Sequence, residues 1–154
     1  MNAKTFRLDE SLGYLTHRAA RALANDLGRR FAVAGLDLTA EQWRVMTLLW
    51  DRDGRTQQEI SGGLLQEKTG ISRLVDGLEA RSLAVRARDE RDSRKRRVYL
   101  TIEGKKLRRG CIAAASATLE QAVAGVPEEK LEACLEVLRR VARNLTPAEG
   151  APKD

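Results

Sequence analysis

Along Leu8, Leu12, Leu15, Ala19, Ala22, Leu23 and Leu27, apolar residues recur every three or four positions. That is the period of one helical face, and it predicts a first helix from about Asp9 to Ala34. Asp9 is placed to cap it, and Gly35 to stop it with Phe31 in the last turn. Thr39 followed by Gln42 has the spacing of a capping box, so a second helix starts there and lines up Trp43, Met46, Leu49 and Trp50. The turn residues Asp51 to Gly54 end it. Thr56 and Glu59 repeat the box and open a short third helix, which the pair Gly62-Gly63 is expected to terminate in a tight turn. From Lys68 to Arg81, Ile71, Leu74, Val75 and Leu78 share a face while Lys68, Thr69, Ser72, Arg73 and Asp76 occupy the others.

After Ser82 the period falls to two. Leu83, Val85 and Ala87 alternate with Ala84, Arg86 and Arg88, and Val98 and Leu100 alternate with Arg97 and Tyr99, which predicts two antiparallel strands. The intervening stretch Asp89 to Arg96 is too charged to bury and is expected to project as a loop. Thr101, Glu103 and Gly104 open a fifth, alanine-rich helix running through Leu107, Ile112, Leu119 and Val123. Gly125 and Pro127 break it, with Pro127 in the first turn of a last helix whose Leu131, Cys134, Leu135, Leu138, Val141, Ala142 and Leu145 are strongly one-sided. The tail from Thr146 to Asp154 is expected to fray. The fold class is therefore mainly α with a small β-hairpin wing. It is a winged helix-turn-helix lobe over residues 36–102, flanked by long helices at 9–34 and 103–145, within a single domain spanning 1–154.

Composition supports a folded chain. At 154 residues with 42% hydrophobic and 32% charged residues, one core that buries about two-thirds of the unfolded surface is expected. No apolar run approaches the roughly 18 residues of a bilayer span, and Met1 to Glu10 lacks the order of a signal peptide, so a cytoplasmic protein without a membrane partner is expected. The net charge of +6 is not evenly spread. Between Arg55 and Arg109 there are 15 Lys or Arg against 8 Asp or Glu, an excess of +7, while the remainder sums to −1. Such concentration on the helix-turn-helix and hairpin is what a surface meeting a polyanion requires. Duplex DNA fits best: a helix enters the major groove, and an arginine at a loop tip suits the narrow minor groove. Single-stranded RNA readers offer exposed aromatics, and this basic half holds only Tyr99, which is assigned to hairpin packing.

Catalysis and metal binding have little support. His17 is the only histidine, no phosphate loop or nucleophile motif occurs, and Cys111 and Cys134 lack metal-ligand spacing. No catalytic residue, metal or cofactor is assigned. The long apolar faces at both ends exceed what the central lobe needs and point to a homodimer, whose two-fold axis would match a palindromic operator.

Several segments, in order, resemble the multiple antibiotic resistance regulator (MarR) family of winged-helix transcription factors. These are Leu12-Gly13-Tyr14-Leu15 with Arg18-Ala19-Ala20, Leu38-Thr39-Ala40-Glu41-Gln42-Trp43, Thr56-Gln57-Gln58-Glu59-Ile60, and Thr69 with Ser72-Arg73-Leu74-Val75. Most specific is Asp92-Ser93-Arg94 followed by Leu100-Thr101 and Gly104. The resemblance implies a homodimer with interlocked ends, recognition helices in successive major grooves and wings in the flanking minor grooves. It implies that Asp92 steadies the wing while Arg94 addresses DNA, and that Lys68, Thr69, Ser72 and Arg73, with Arg91, Lys95 and Arg96, supply further contacts. Arg73 has the alternative of a structural ion pair. The family also implies a repressor released by a small phenolic or carboxylate effector, for which Tyr14, His17, Arg21 and Trp43 are candidates, each with ordinary packing as its alternative. Gly70, Gly62-Gly63 and Ser82 depart from the family pattern, and the last stands where glycine is usual. A dimeric ligand-binding or protein-interaction module that no longer reads DNA is the alternative function.

Overall fold

In the computed structural model, which describes residues 7–147, the first helix starts on Ser11 rather than on Asp9. Helix α1 spans Leu12–Val33, and the Ser11 hydroxyl accepts the Tyr14 N–H at 3.3 Å. Asp9 is instead held in a 3-10 turn, Leu8–Glu10. Both are good capping residues, so local composition alone does not choose between them. Gly35 ends the segment at φ 69 as expected.

Helices α2 (Ala40–Asp51) and α3 (Gln57–Leu64) each open with a complete capping box, Thr39 with Gln42 and Thr56 with Glu59. The expected turn at Gly62-Gly63 does not form there. Helix α3 continues to Leu64, and Leu65 takes the left-handed conformation at φ 50. Gly63 serves close packing instead, since a Cβ on it would stand 3.1 Å from the Leu48 side chain of α2. Helix α4 spans Lys68–Ala80 and turns out through Ser82, which adopts φ 57 in place of a glycine.

Strands β2 (Ala84–Arg88) and β3 (Arg96–Leu100) pair antiparallel from Ala84 opposite Leu100 to Arg88 opposite Arg96. A third strand not evident from the pattern, β1 (Arg55–Thr56), pairs with the other edge of β3, giving the order β1-β3-β2. The fifth helix is divided at Leu107 into α5 (Ile102–Lys106) and α6 (Arg108–Ala122). Leu107 keeps helical dihedrals, but its N–H reaches the Glu103 carbonyl only at 3.3 Å. Helix α7 spans Glu128–Leu145, with Pro127 one position before its first turn. The chain divides into two compact units, one up to Leu119 and one from Glu120.

In the first unit, Phe31, Val45, Met46, Leu49, Ile60, Ile71, Val75, Leu78 and Val98 form the buried core. The Trp43 ring stands edge-on to Phe31 at 5.9 Å and tilts against Trp50 at 5.6 Å. Trp50 Nε1 donates to the Gly104 carbonyl at 3.1 Å, joining α2 to the chain leaving the sheet. Gly104 is buried there, and a Cβ on it would lie 2.1 Å from the Leu83 carbonyl oxygen. Cys111 is buried in the same core, which pushes its thiol up to about 11, and Cys134 of the second unit is also free.

The two glycines of this region predict opposite outcomes. Gly104→Ala drives a methyl into backbone and should destabilise the protein by about 3 kcal/mol. Gly110→Ala, whose Cβ would meet only Leu36 side-chain atoms at 3.6 Å within α6, should stabilise it by about 1 kcal/mol through helix propensity. Urea unfolding of both variants measures the contrast, and equal effects would contradict the close approach at Gly104.

Candidate nucleic-acid interface

Helix α4 turns Ile71, Val75 and Leu78 inward, which leaves Lys68, Thr69 and Arg73 exposed. Neither Lys68 nor Arg73 has an ion pair among the described residues, so the structural pairing open to Arg73 in the sequence is not seen there. Ser72 is half-buried, and its hydroxyl accepts from Arg86 Nη2 at 3.2 Å.

The loop between β2 and β3 is organised around a residue expected to be exposed. Asp89 is buried at 7% accessibility. Its Oδ1 accepts the Arg91 and Asp92 N–H groups at 2.8 and 2.9 Å, and its Oδ2 accepts the Arg97 Nε–H. Arg97 Nη1 goes on to the Gly54 carbonyl at 2.7 Å, so the loop is tied to the turn before β1. These donors, the Asp92 amide and the Arg97 guanidinium first, hold the Asp89 carboxyl at about 2, and Asp89 in turn raises Arg97. Burial of a charge in so polar a loop is possible because both carboxylate oxygens are hydrogen-bonded.

Asp92 lies half-buried in the same loop. Its Oδ1 accepts the Arg94 N–H at 3.1 Å and Nε–H at 3.2 Å, while the Arg94 side chain stays 89% exposed. Arg88, Arg91, Lys95 and Arg96 are exposed too, with no ion pair among the described residues. The cationic run therefore divides by role. Arg86 and Arg97 are consumed inside the protein by acids, and Arg88, Arg91, Arg94, Lys95 and Arg96 form the outward charge. Sequence reasoning overlooked Asp89 and both internal arginines. The spacing of Asp89 to the amides two and three residues on is that of an Asx turn and was the available signal.

A second feature lies in the same unit. Helices α1, α2 and α6 line a mostly apolar, half-open cavity of about 380 Å³, its walls including Leu23, Leu27, Trp43, Arg44, Thr118 and Leu119. Of the candidate effector contacts, Trp43 lines it. Tyr14, His17 and Arg21 do not: Tyr14 lies under the Arg18 guanidinium at 5.7 Å, and His17 and Arg21 are exposed along α1. At the cavity's edge Thr118 Oγ1 donates to Asp26 Oδ2 at 2.8 Å. With Arg30 as the largest cause, that bond holds Asp26 at about 2.

Comparison with known proteins places this geometry. The model of the MarR family matches residues 36–95, which hold α2, the helix-turn-helix and most of the wing. The HTH-type transcriptional regulator TtmR of Methylorubrum extorquens is 32% identical over 101 residues, 66% of this chain, and the chain spans about half, 51%, of that relative's length. Among solved structures, CouR from Rhodococcus jostii RHA1 bound to p-coumaroyl-CoA has a TM-score of 0.78 at 22% identity, covering 94% of this chain and 100% of that one. The S. aureus MepR–DNA complex has a TM-score of 0.77 at 24% identity, covering 88% and 98%. Both structures share the fold with this chain.

The wing should come apart in acid, and late. Because the folded pKa of Asp89 lies below its ordinary 3.8, its contribution is complete above about pH 4 and is lost as pH falls toward 2. Amide ¹⁵N shifts of Arg91 and Asp92 should titrate together near pH 2, and Asp89→Asn should abolish that step. A midpoint near 4 would contradict the arrangement.

Proposed function

We propose, from the match of the MarR family model to residues 36–95, that the protein is a sequence-specific regulator of transcription that binds double-stranded DNA as a homodimeric repressor. The observation that carries this reading is the outward set of Arg88, Arg91, Lys95 and Arg96, without ion pairs among the described residues, with Arg94 paired to its loop neighbour Asp92 yet 89% exposed, beside a helix that exposes Lys68, Thr69 and Arg73. Cations left unpaired by the fold are free to replace counterions on phosphate. In the proposed complex α4 lies in the major groove, where Lys68, Thr69 and Arg73 meet base edges or phosphates, with Ser72 beside them. Arg94, braced by Asp92, enters the minor groove, and Arg91, Lys95 and Arg96 meet phosphate.

Dimer formation draws support from apolar residues left exposed within the first unit: Leu8, Leu12 and Leu15 at the start of the chain, and Ile112 and Leu119 on α6. A two-fold dimer sets its recognition helices about 34 Å apart and so matches a palindromic operator. The cavity is the proposed effector site. Its apolar lining with Arg44 at its wall suits a small aromatic phenol or carboxylate, and CouR, whose fold is similar, was solved bound to p-coumaroyl-CoA. A ligand that prefers a helix spacing unsuited to DNA would shift the population off the operator and relieve repression.

Arg94→Ala tests the reading at its most exposed contact. The variant should bind its duplex at least tenfold more weakly and lower the slope of log affinity against log salt by about 0.9, while sedimentation still finds the dimer. Unchanged DNA affinity would refute the assignment of the wing.

A further inference from the structure

Arg86 stands on β2, yet its side chain is only 12% exposed, and its bonds run to two helices. Nε donates to Gln57 Oε1 of α3 at 3.0 Å. Nη2 donates to the Ser72 carbonyl at 2.9 Å and to the Ser72 hydroxyl at 3.2 Å. Nη1 pairs with Asp76 Oδ1 at 2.8 Å and with the Glu79 carboxylate, whose other oxygen accepts the Arg86 backbone N–H at 2.7 Å.

The three α4 partners, at 72, 76 and 79, are four and three residues apart and so form one stripe along two turns of the helix. One planar guanidinium grips that stripe while its third nitrogen is anchored on α3. A helix held at a single point rolls about its own axis with little cost, and each residue of register turns it by 100°. Held along a stripe by a flat five-donor fork, it cannot roll without breaking several charge-assisted bonds together.

We propose that Arg86 is a positioning residue for DNA reading: it sets the rotation of α4, and hence which of Lys68, Thr69 and Arg73 meet base edges, and it couples that rotation to the wing strand. The proposal rests on the DNA-binding reading above. It separates two properties that charge alone ties together. Attraction to phosphate depends on the outward cations, which Arg86 does not join, whereas discrimination between sequences depends on the angle that Arg86 holds.

Two full-length variants test it, each compared with the unmodified protein on the duplex that this protein enriches from a randomised pool and on an unrelated duplex. Arg86→Lys keeps the charge but not the fork. It should bind the unrelated duplex as before, with the same salt dependence, while the ratio of specific to non-specific affinity falls at least tenfold. Glu79→Gln removes one negative charge, which on electrostatics alone tightens binding to any DNA. It should nevertheless lose specific affinity severalfold while non-specific affinity holds or rises.

Circular dichroism confirms that each variant is folded at the assay temperature, and if Arg86→Lys is not, Glu79→Gln decides. A folded variant whose ratio stays within twofold of the unmodified protein reduces the cluster to a fold-stabilising contact and overturns the proposal. An unmodified protein that enriches no sequence overturns both this proposal and the reading beneath it.

Discussion

The buried carboxylate of Asp89 is the constraint on which the rest of the interface depends. Between Arg86 and Arg97 seven cations share twelve residues with three acids, and like charges so close repel one another. A loop of that composition takes a defined shape only if its few anions are spent where they bind most. Asp89 is spent in this way, on two loop amides and on Arg97, and Arg97 carries the connection to Gly54. What is left over is five outward cations on a braced loop. In the proposed function this pattern suits a polyanion, because the internal pairs take up the cations that the fold itself needs.

A second set of contacts ties this loop to the helices. Trp50 donates to Gly104, Gly104 lies against Leu83, and the Thr101 hydroxyl donates to the Ser82 carbonyl at 2.6 Å, so both ends of the hairpin are fastened to one another and to α2. Ser82 accepts a left-handed conformation at that junction although glycine suits it better, a cost offset by the surrounding bonds. The same α2 also walls the cavity through Trp43 and Arg44. Through α2, an occupant of the cavity would touch the element that carries the hairpin's anchor.

Much of this was legible in the chain because its signals are local. The boxes at Thr39 and Thr56, the stripe Ile71-Val75-Leu78 and the two strands of the hairpin follow short-range patterns and formed, although in β2 Ala84 and Arg86 turn inward while Val85 and Ala87 stay exposed. Where the reading failed, the deciding partner was distant or two residues had equal claims. Gly63 is explained by Leu48 of another helix, and Ser11 displaced Asp9 as a cap of the same chemical type. Nothing within a run of arginines marks Arg86 and Arg97 as internal, since their partners include Gln57, 29 residues away, and Gly54, 43 away. The cavity joins α1 to α6 residues about 92 positions apart, as in the Asp26–Thr118 bond, so of the four effector candidates read from the sequence Trp43 alone lines it.

The central claim is that this surface reads duplex sequence as a two-fold dimer. Selecting randomised duplex DNA against the purified full chain, and reading the enriched pool for symmetry, tests it most directly. The account predicts an inverted repeat with half-site centres about one helical turn, about 34 Å, apart. A pool with no enriched sequence, bound only in a steeply salt-dependent way, would contradict it.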